Sequence, residues 1–260
     1  MILFEVDNLR SAFLRGKKLI AFVVAGYPSI QKSKGIIKEI AKSGADIIEV
    51  GFPFSDSVAD GPVIVNAYQK AIANNVVICD CINLIAEIKK QINTPIVIMS
   101  SYSIVFNYGI EKFIKSVAKA NADGLIIPDL PFEESKFVSQ IAKNNGIDLV
   151  LLVAPNTSLQ REKKIAVQSK GFIYLISTTG TTGIRKKLSA TIKSNVLRLK
   201  KLTKKPIAVG FGISNPKQAG EITKYADAVI VGSAIVKRIS ENKPVSGFIK
   251  EMKKEINGKS

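Results

Sequence analysis

Asp46-Ile47-Ile48-Glu49-Val50-Gly51-Phe52-Pro53-Phe54-Ser55-Asp56-Ser57-Val58-Ala59-Asp60-Gly61-Pro62 opens as an apolar strand and ends as a loop. Its first six residues are nearly continuous in apolar character, as in a parallel strand covered on both faces. One carboxylate, Glu49, interrupts that run, and the loop adds Asp56 and Asp60. A buried acid costs free energy unless it is paired or used, so Glu49 is a candidate for acid–base work. The structural alternative is a carboxylate satisfied by local hydrogen bonds.

Seven further segments read like this strand: Leu19–Ala25, Pro95–Ser100, Asp123–Pro128, Leu149–Val153, Phe172–Ser177, Ile207–Phe211 and Ala228–Gly232. Helical patterns lie between them. Ile110, Phe113, Ile114, Val117 and Ala118 form one apolar stripe over 110–120. Ile36, Ile37, Ile40 and Ala41 do the same, with Gly44 placed to end the helix. Glu133–Asn145 is expected to bury Phe137, Val138, Ile141 and Ala142. Asn215-Pro216 reads as a cap followed by a first-turn proline. Helices are also expected over Ile64–Ala73, Ile82–Lys90, Leu159–Ser169, Ala190–Leu202 and Val245–Ile256. Eightfold strand–helix alternation favours a single (β/α)8 barrel domain over residues 1–260, with extra short helices. An open sheet with helices on both faces has the same alternation, because closure is not written in periodicity. Two long connections, Phe52–Asp80 and Thr178–Ser189, fall at the C-terminal end of the strands. The second, rich in Gly and Thr, is expected to act as a lid.

With 260 residues, 46% of them hydrophobic, the chain can bury one sizeable core. No apolar run approaches the roughly 18–20 residues that span a membrane. With Glu5, Asp7, Arg10 and Arg15 early in the chain, a cytoplasmic protein is expected. The chain has no histidine, which excludes Ser-His-Asp and Cys-His catalysis and histidine metal sites. Proton transfer must use carboxylates, Tyr, Lys or Cys. Cys79 and Cys81 read as a strand-like C-x-C of buried or half-buried free thiols, and no metal site is expected. The net charge of +17 is spread over many helical segments without interleaved aromatics. It reads as a solvated lysine surface rather than a nucleic-acid site.

Strand seven runs into Gly210-Phe211-Gly212-Ile213-Ser214, and strand eight into Gly232-Ser233-Ala234-Ile235-Val236. Two Gly-rich strand ends beside a short helix are the recurrent phosphate site of barrels. The alternative is that these glycines only turn the chain. Tyr174 lies mid-strand, on the same face as Phe172 and Ile176. It reads as core or, with the acids, as part of a site. Asp129 is a turn residue or a functional one.

Phe22–Pro28, Gly44–Gly51, Pro53–Asp56, Ala59–Pro62, Pro128–Pro131, Gly180–Gly183, Gly210–Ser214 and Gly232–Ala234 together resemble the tryptophan synthase alpha subunit over residues 15–240. The resemblance implies a (β/α)8 lyase that splits indole-3-glycerol phosphate into indole and glyceraldehyde 3-phosphate by a cofactor-free retro-aldol reaction. By resemblance, Glu49 is the general acid/base, Asp60 holds the indole N–H, and Tyr174 stands beside the reacting carbons. Gly183, Phe211, Gly212, Gly232 and Ser233 match the phosphate site, and Phe22 and Ile64 the indole contacts. It further implies an α2β2 complex in which only the beta subunit carries pyridoxal phosphate, with Pro53, Phe54 and Asp56 facing that partner. The chain departs from the family pattern at Val24, Ser57, Ser103 and Thr178, where Thr, Pro, Asn and Arg are usual; the last two bear on partner docking and lid closure. Alternatives are an alpha-type subunit acting mainly as an allosteric partner, and another phosphate-binding barrel enzyme.

Overall fold

The computed structural model describes residues 8–55, 57, 60–177, 185–210 and 212–258, the side chains of 8 and 185–190 excepted. Eight parallel strands pair in chain order and close: β1 (Lys18–Val24), β2 (Ile47–Gly51), β3 (Ile96–Met99), β4 (Gly124–Ile126), β5 (Asp148–Val153), β6 (Ile173–Ile176), β7 (Ile207–Gly210) and β8 (Ala228–Val231), with β8 back against β1. This is a (β/α)8 barrel, and all eight expected strands are present.

Ahead of the barrel is α1 (Asn8–Ser11), and α2 (Ile30–Lys42) links β1 to β2. The long connection after β2 holds α3 (Pro62–Ala73) and α4 (Ile78–Lys89), and that after β3 holds α5 (Tyr102–Tyr108) and α6 (Ile110–Lys119). Then come α7 (Phe132–Asn144), α8 (Leu159–Gln168), α9 (Arg185–Leu202), α10 (Pro216–Thr223), α11 (Ser233–Ser240) and α12 (Ser246–Ile256). Among the described residues, no single helix is long and apolar enough to cross a membrane.

Three expectations are corrected. Cys79 and Cys81 lie on α4 rather than on a strand, and residues two apart on a helix point to nearly opposite sides. Cys79 is therefore exposed while Cys81 is buried, and burial pushes the Cys81 thiol up to about 12. Phe137 is exposed, because the buried face of α7 runs through Ser135, Val138 and Ala142, and Phe137 lies about 100° off the last-named stripe. Helix α9 starts at Arg185, so the end of the expected lid is already helical, and residues 178–184 lie outside the described residues.

The register sets which side chains enter the barrel. Phe22 pairs with Glu49, Glu49 with Val97, and Val97 with Gly124. Leu152 pairs with Tyr174, Tyr174 with Ala208, and Ala208 with Ala228. Paired residues of parallel strands share a face, and every second residue returns to it. Hence Glu49 and Gly51, Tyr174 and Ile176, and Ala208 and Gly210 all face inward.

The N-terminal end of the barrel is closed by the chain itself. Leu9 fills the space that a side chain on Gly124 would need, and its N–H donates to Asp148 Oδ2 at 2.9 Å. Three strand pairs are pinned there by an aspartate that precedes the later strand. Asp46 accepts the Leu19 N–H at 2.8 Å, Asp123 that of Ile96 at 2.8 Å, and Asp227 that of Ile207 at 3.0 Å. Each also holds a lysine: Lys253 at 2.6 Å, Lys89 at 2.7 Å and Lys200 at 3.0 Å, respectively.

Candidate active site

A cavity of about 400 Å³ opens at the C-terminal end of the strands. Strands β2 and β6 bring Glu49 and Tyr174 to its floor, while Asp60 reaches it from the loop before α3. Phe22, Ile64, Leu152 and Ile230 supply apolar walls. Gly212, Gly232 and Ser233 form the far side, where Gly212 takes a φ of +74° that favours glycine. Gly232 and Ser233 stand at the N-terminus of α11, the short helix expected after strand eight. Free backbone N–H groups at such an end suit an anion. Among the described residues, none that lines this cavity is a lysine or arginine.

The electrostatics centre on Glu49. It is fully buried, and neither carboxyl oxygen has a hydrogen-bond partner among the described residues. Burial, with the nearby Asp60 charge adding to it, pushes its carboxyl up to about 8. Burial alone pushes Asp60 up to about 6. The Tyr174 phenol is held well above its usual range, first by burial and then by the charges of Glu49 and Asp60. A second fully buried glutamate, Glu162 on α8, is partnered: Arg198 grips it with two hydrogen bonds, at 2.9 and 2.5 Å. At neutral pH the site thus combines a carboxyl held protonated with a mostly ionised one, across an apolar slot.

Two glycines make room for this arrangement. A Cβ on Gly210 would come within 2.5 Å of the Tyr174 hydroxyl oxygen, so that glycine seats the phenol. One on Gly51 would come within 2.5 Å of the Tyr68 hydroxyl oxygen and 2.8 Å of the Phe22 ring. Tyr68, which sequence reasoning passed over, sits on the buried face of α3, where a tyrosine reads as ordinary core.

Of the expected site residues, Glu49, Asp60, Tyr174, Phe22, Ile64, Gly212, Gly232 and Ser233 all line the one cavity. Gly183, Phe211 and Asp56 lie outside the described residues. Pro53, expected at a partner surface, is buried, and Phe54 turns its ring onto Tyr68 at 5.0 Å and into the cavity. Asp129 also lines the cavity, and its Oδ1 accepts the Tyr102 N–H at 2.7 Å, tying the start of α5 to the turn after β4.

A family model described as tryptophan synthase alpha chain matches residues 12–258. The chain belongs to the tryptophan synthase alpha chain family. It is 44% identical over 251 residues to the tryptophan synthase alpha chain of Petrotoga mobilis, covering 96% of this chain and 97% of that one. To that of Carboxydothermus hydrogenoformans it is 47% identical over 226 residues, covering 86% and 85%. A solved structure of tryptophan synthase from M. tuberculosis, in an aminoacrylate-bound form, superposes with a TM-score of 0.87 at 30% identity, covering 96% of this chain and 99% of that one. The barrel and the family agree with what the strand pattern and the motifs pointed to.

Proposed function

We propose that this chain is a lyase cleaving indole-3-glycerol phosphate to indole and glyceraldehyde 3-phosphate, with Glu49 moving the protons. The observation that carries this reading is the fully buried Glu49 carboxyl on the floor of the cavity, without a partner among the described residues. Cleavage breaks the bond between indole C3 and the adjacent glycerol carbon. The bonding electrons end on C3, which must gain a proton, while the neighbouring hydroxyl loses one as its carbon becomes a carbonyl. A carboxyl held neutral by burial can give the first proton and, as a carboxylate, take the second. One group then serves both steps and ends as it began.

Asp60, largely ionised at neutral pH, accepts from the indole N–H and offsets the positive charge that protonation places on the ring. Tyr174 bounds the slot beside the reacting carbons, and Phe22 and Ile64 enclose the indole. The phosphate lies against Gly212, Gly232 and Ser233, held by backbone N–H groups and the dipole of α11. Both proton transfers balance without electron transfer, so no cofactor is assigned to this chain. The family implies a beta-subunit partner, and we assign this chain to an α2β2 assembly in the cytoplasm, with pyridoxal phosphate held by the beta subunit alone. Pro53, Phe54 and Asp56 belong to the segment assigned to that contact.

The test is indole release from indole-3-glycerol phosphate by the purified chain, with and without beta subunit. Glu49→Gln, which keeps shape and removes the proton, should lower the rate by at least about a hundredfold. Full activity in a folded Glu49→Gln protein would sink the assignment.

A further inference from the structure

The neighbours of Glu49 in its own layer of the barrel give it no hydrogen bond. Across β1 and β3 it faces Phe22 and Val97, and beyond Val97 lies Gly124. Tyr174 shares the cavity floor with Glu49. The Tyr68 side chain, by contrast, is fully buried and is not among the residues lining the cavity. Its ring packs on Phe54, and its hydroxyl oxygen occupies the inward side of Gly51. Gly51 follows Glu49 by two residues on the same face of β2, so the phenol oxygen hangs one layer above the Glu49 side chain.

That hydroxyl has no hydrogen-bond partner among the described residues. An orphaned buried hydroxyl is costly, and phenylalanine would fill the same space without that cost. The charged groups that act on the phenol are Asp60 and then Glu49, both smaller in effect than burial, and together they hold it protonated. It is therefore a donor within the field of both acids. On α11, which packs against α3, Lys237 lies 4.0 Å from Glu241 and Arg238 lies over the Phe248 ring. Hydrogen bonds of this kind often tighten only as charge develops during reaction.

We propose that Tyr68 is a positioning residue: its hydroxyl donates from behind the cavity wall to the Glu49–Asp60 pair and steadies the negative charge that the pair carries. This rests on the reading of Glu49 as the proton-transfer group. Because the two acids titrate as a coupled pair, the quantity to follow is the pair's apparent values.

The experiment is carboxyl ¹³C NMR of the substrate-free, Asp- and Glu-labelled chain, titrated from about pH 4 to about pH 10. A donor favours the charged form, so Tyr68→Phe should raise the pair's lower apparent pKa by about one unit. The acid limb of kcat/KM should move with it, while KM stays put, since Tyr68 does not touch the cavity. Tyr68→3-fluorotyrosine, a stronger donor of nearly the same shape, should move the value down, and decides alone if Tyr68→Phe does not fold. Carboxyl titrations that match wild type in these variants, with or without lost stability, overturn the proposal and leave Tyr68 a packing residue. Activity surviving Glu49→Gln would instead remove the catalytic reading, and the NMR shift would stand apart from it.

Discussion

At the N-terminal end of the barrel, Asp46, Asp123 and Asp227 each take a strand N–H and a lysine. At the C-terminal end, among the described residues, Glu49 has no partner and Asp60 no cation in the cavity lining. The acids of the first end are satisfied and tie neighbouring strands together. Burial raises the pKa values of those of the second, which on the proposed reading suits them to proton transfer. Barrels divide labour in this way between a stable end and a chemical end. Here the division is made by what surrounds each carboxylate rather than by the residue type.

The largest effect that would break this comparison concerns stability against pH. In the unfolded chain Glu49 ionises near its ordinary value, whereas in the folded protein it does so near 8. Between those values the unfolded state has released a proton that the folded state still holds. Stability from this group is therefore full below the ordinary value, falls as pH rises through the window, and is level above about 8. Glu49→Gln lacks that loss, at about 1.4 kcal/mol per unit of displacement. Relative to wild type, its Tm should gain roughly 5 °C or more at pH 8 over its value at pH 5. A thermal melt series showing no such divergence would mean that Glu49 is solvated or paired after all.

Next in size is the buried pair in the helical layer. Arg198→Met strands the fully buried Glu162, at a cost of about 2–3 kcal/mol, below the usual figure because Arg198 is partly exposed. Calorimetry should show Tm falling by about 5–10 °C while kcat per folded molecule holds. The smallest change is expected at the closed end. Asp46→Asn keeps an acceptor for the Leu19 N–H but loses the charge facing Lys253 and Lys18. Denaturant titration should register about 1 kcal/mol, with indole release unaffected. A change in kcat there would show that the two ends are coupled.

The barrel was legible because its strands are covered on both faces and so read as apolar runs. What escaped were elements whose signals are weak or mixed. Helix α4 begins after Val77, which has no side-chain oxygen to cap it; Asp80 instead reaches back to the Val77 N–H at 3.1 Å. Without the usual cap residue the sequence pattern starts only at Ile82 and leaves the two cysteines outside the helix. Helix α5 is seven residues long and follows β3 with only Ser101 to announce it. A repeated unit was also there to be read: Gly44-Ala45-Asp46, Asn121-Ala122-Asp123 and Gly146-Ile147-Asp148 all follow a helix with a positive φ and then an acid at the strand start.

Within the site, Glu49 and Asp60 stood out because acids are costly in strands and at mouths. Tyr68 did not, since a tyrosine on an apolar helix face is unremarkable until its hydroxyl is seen to lack a partner. In sequence Gly210 reads as part of an anion turn, but its inward side is taken by Tyr174. The ring of a residue thirty-six places earlier cannot be inferred from a glycine.

The far wall of the cavity, Gly212, Gly232 and Ser233, offers main chain rather than a charged side chain. Main-chain N–H groups survive most point mutations, whereas a lone carboxyl is lost to a single base change. On the proposed reading, random substitution would leave substrate affinity robust and turnover fragile. Inactive variants that still bind the phosphate should then outnumber those that lose it, and they would be a ready starting stock for a barrel that keeps its ligand and acquires different chemistry.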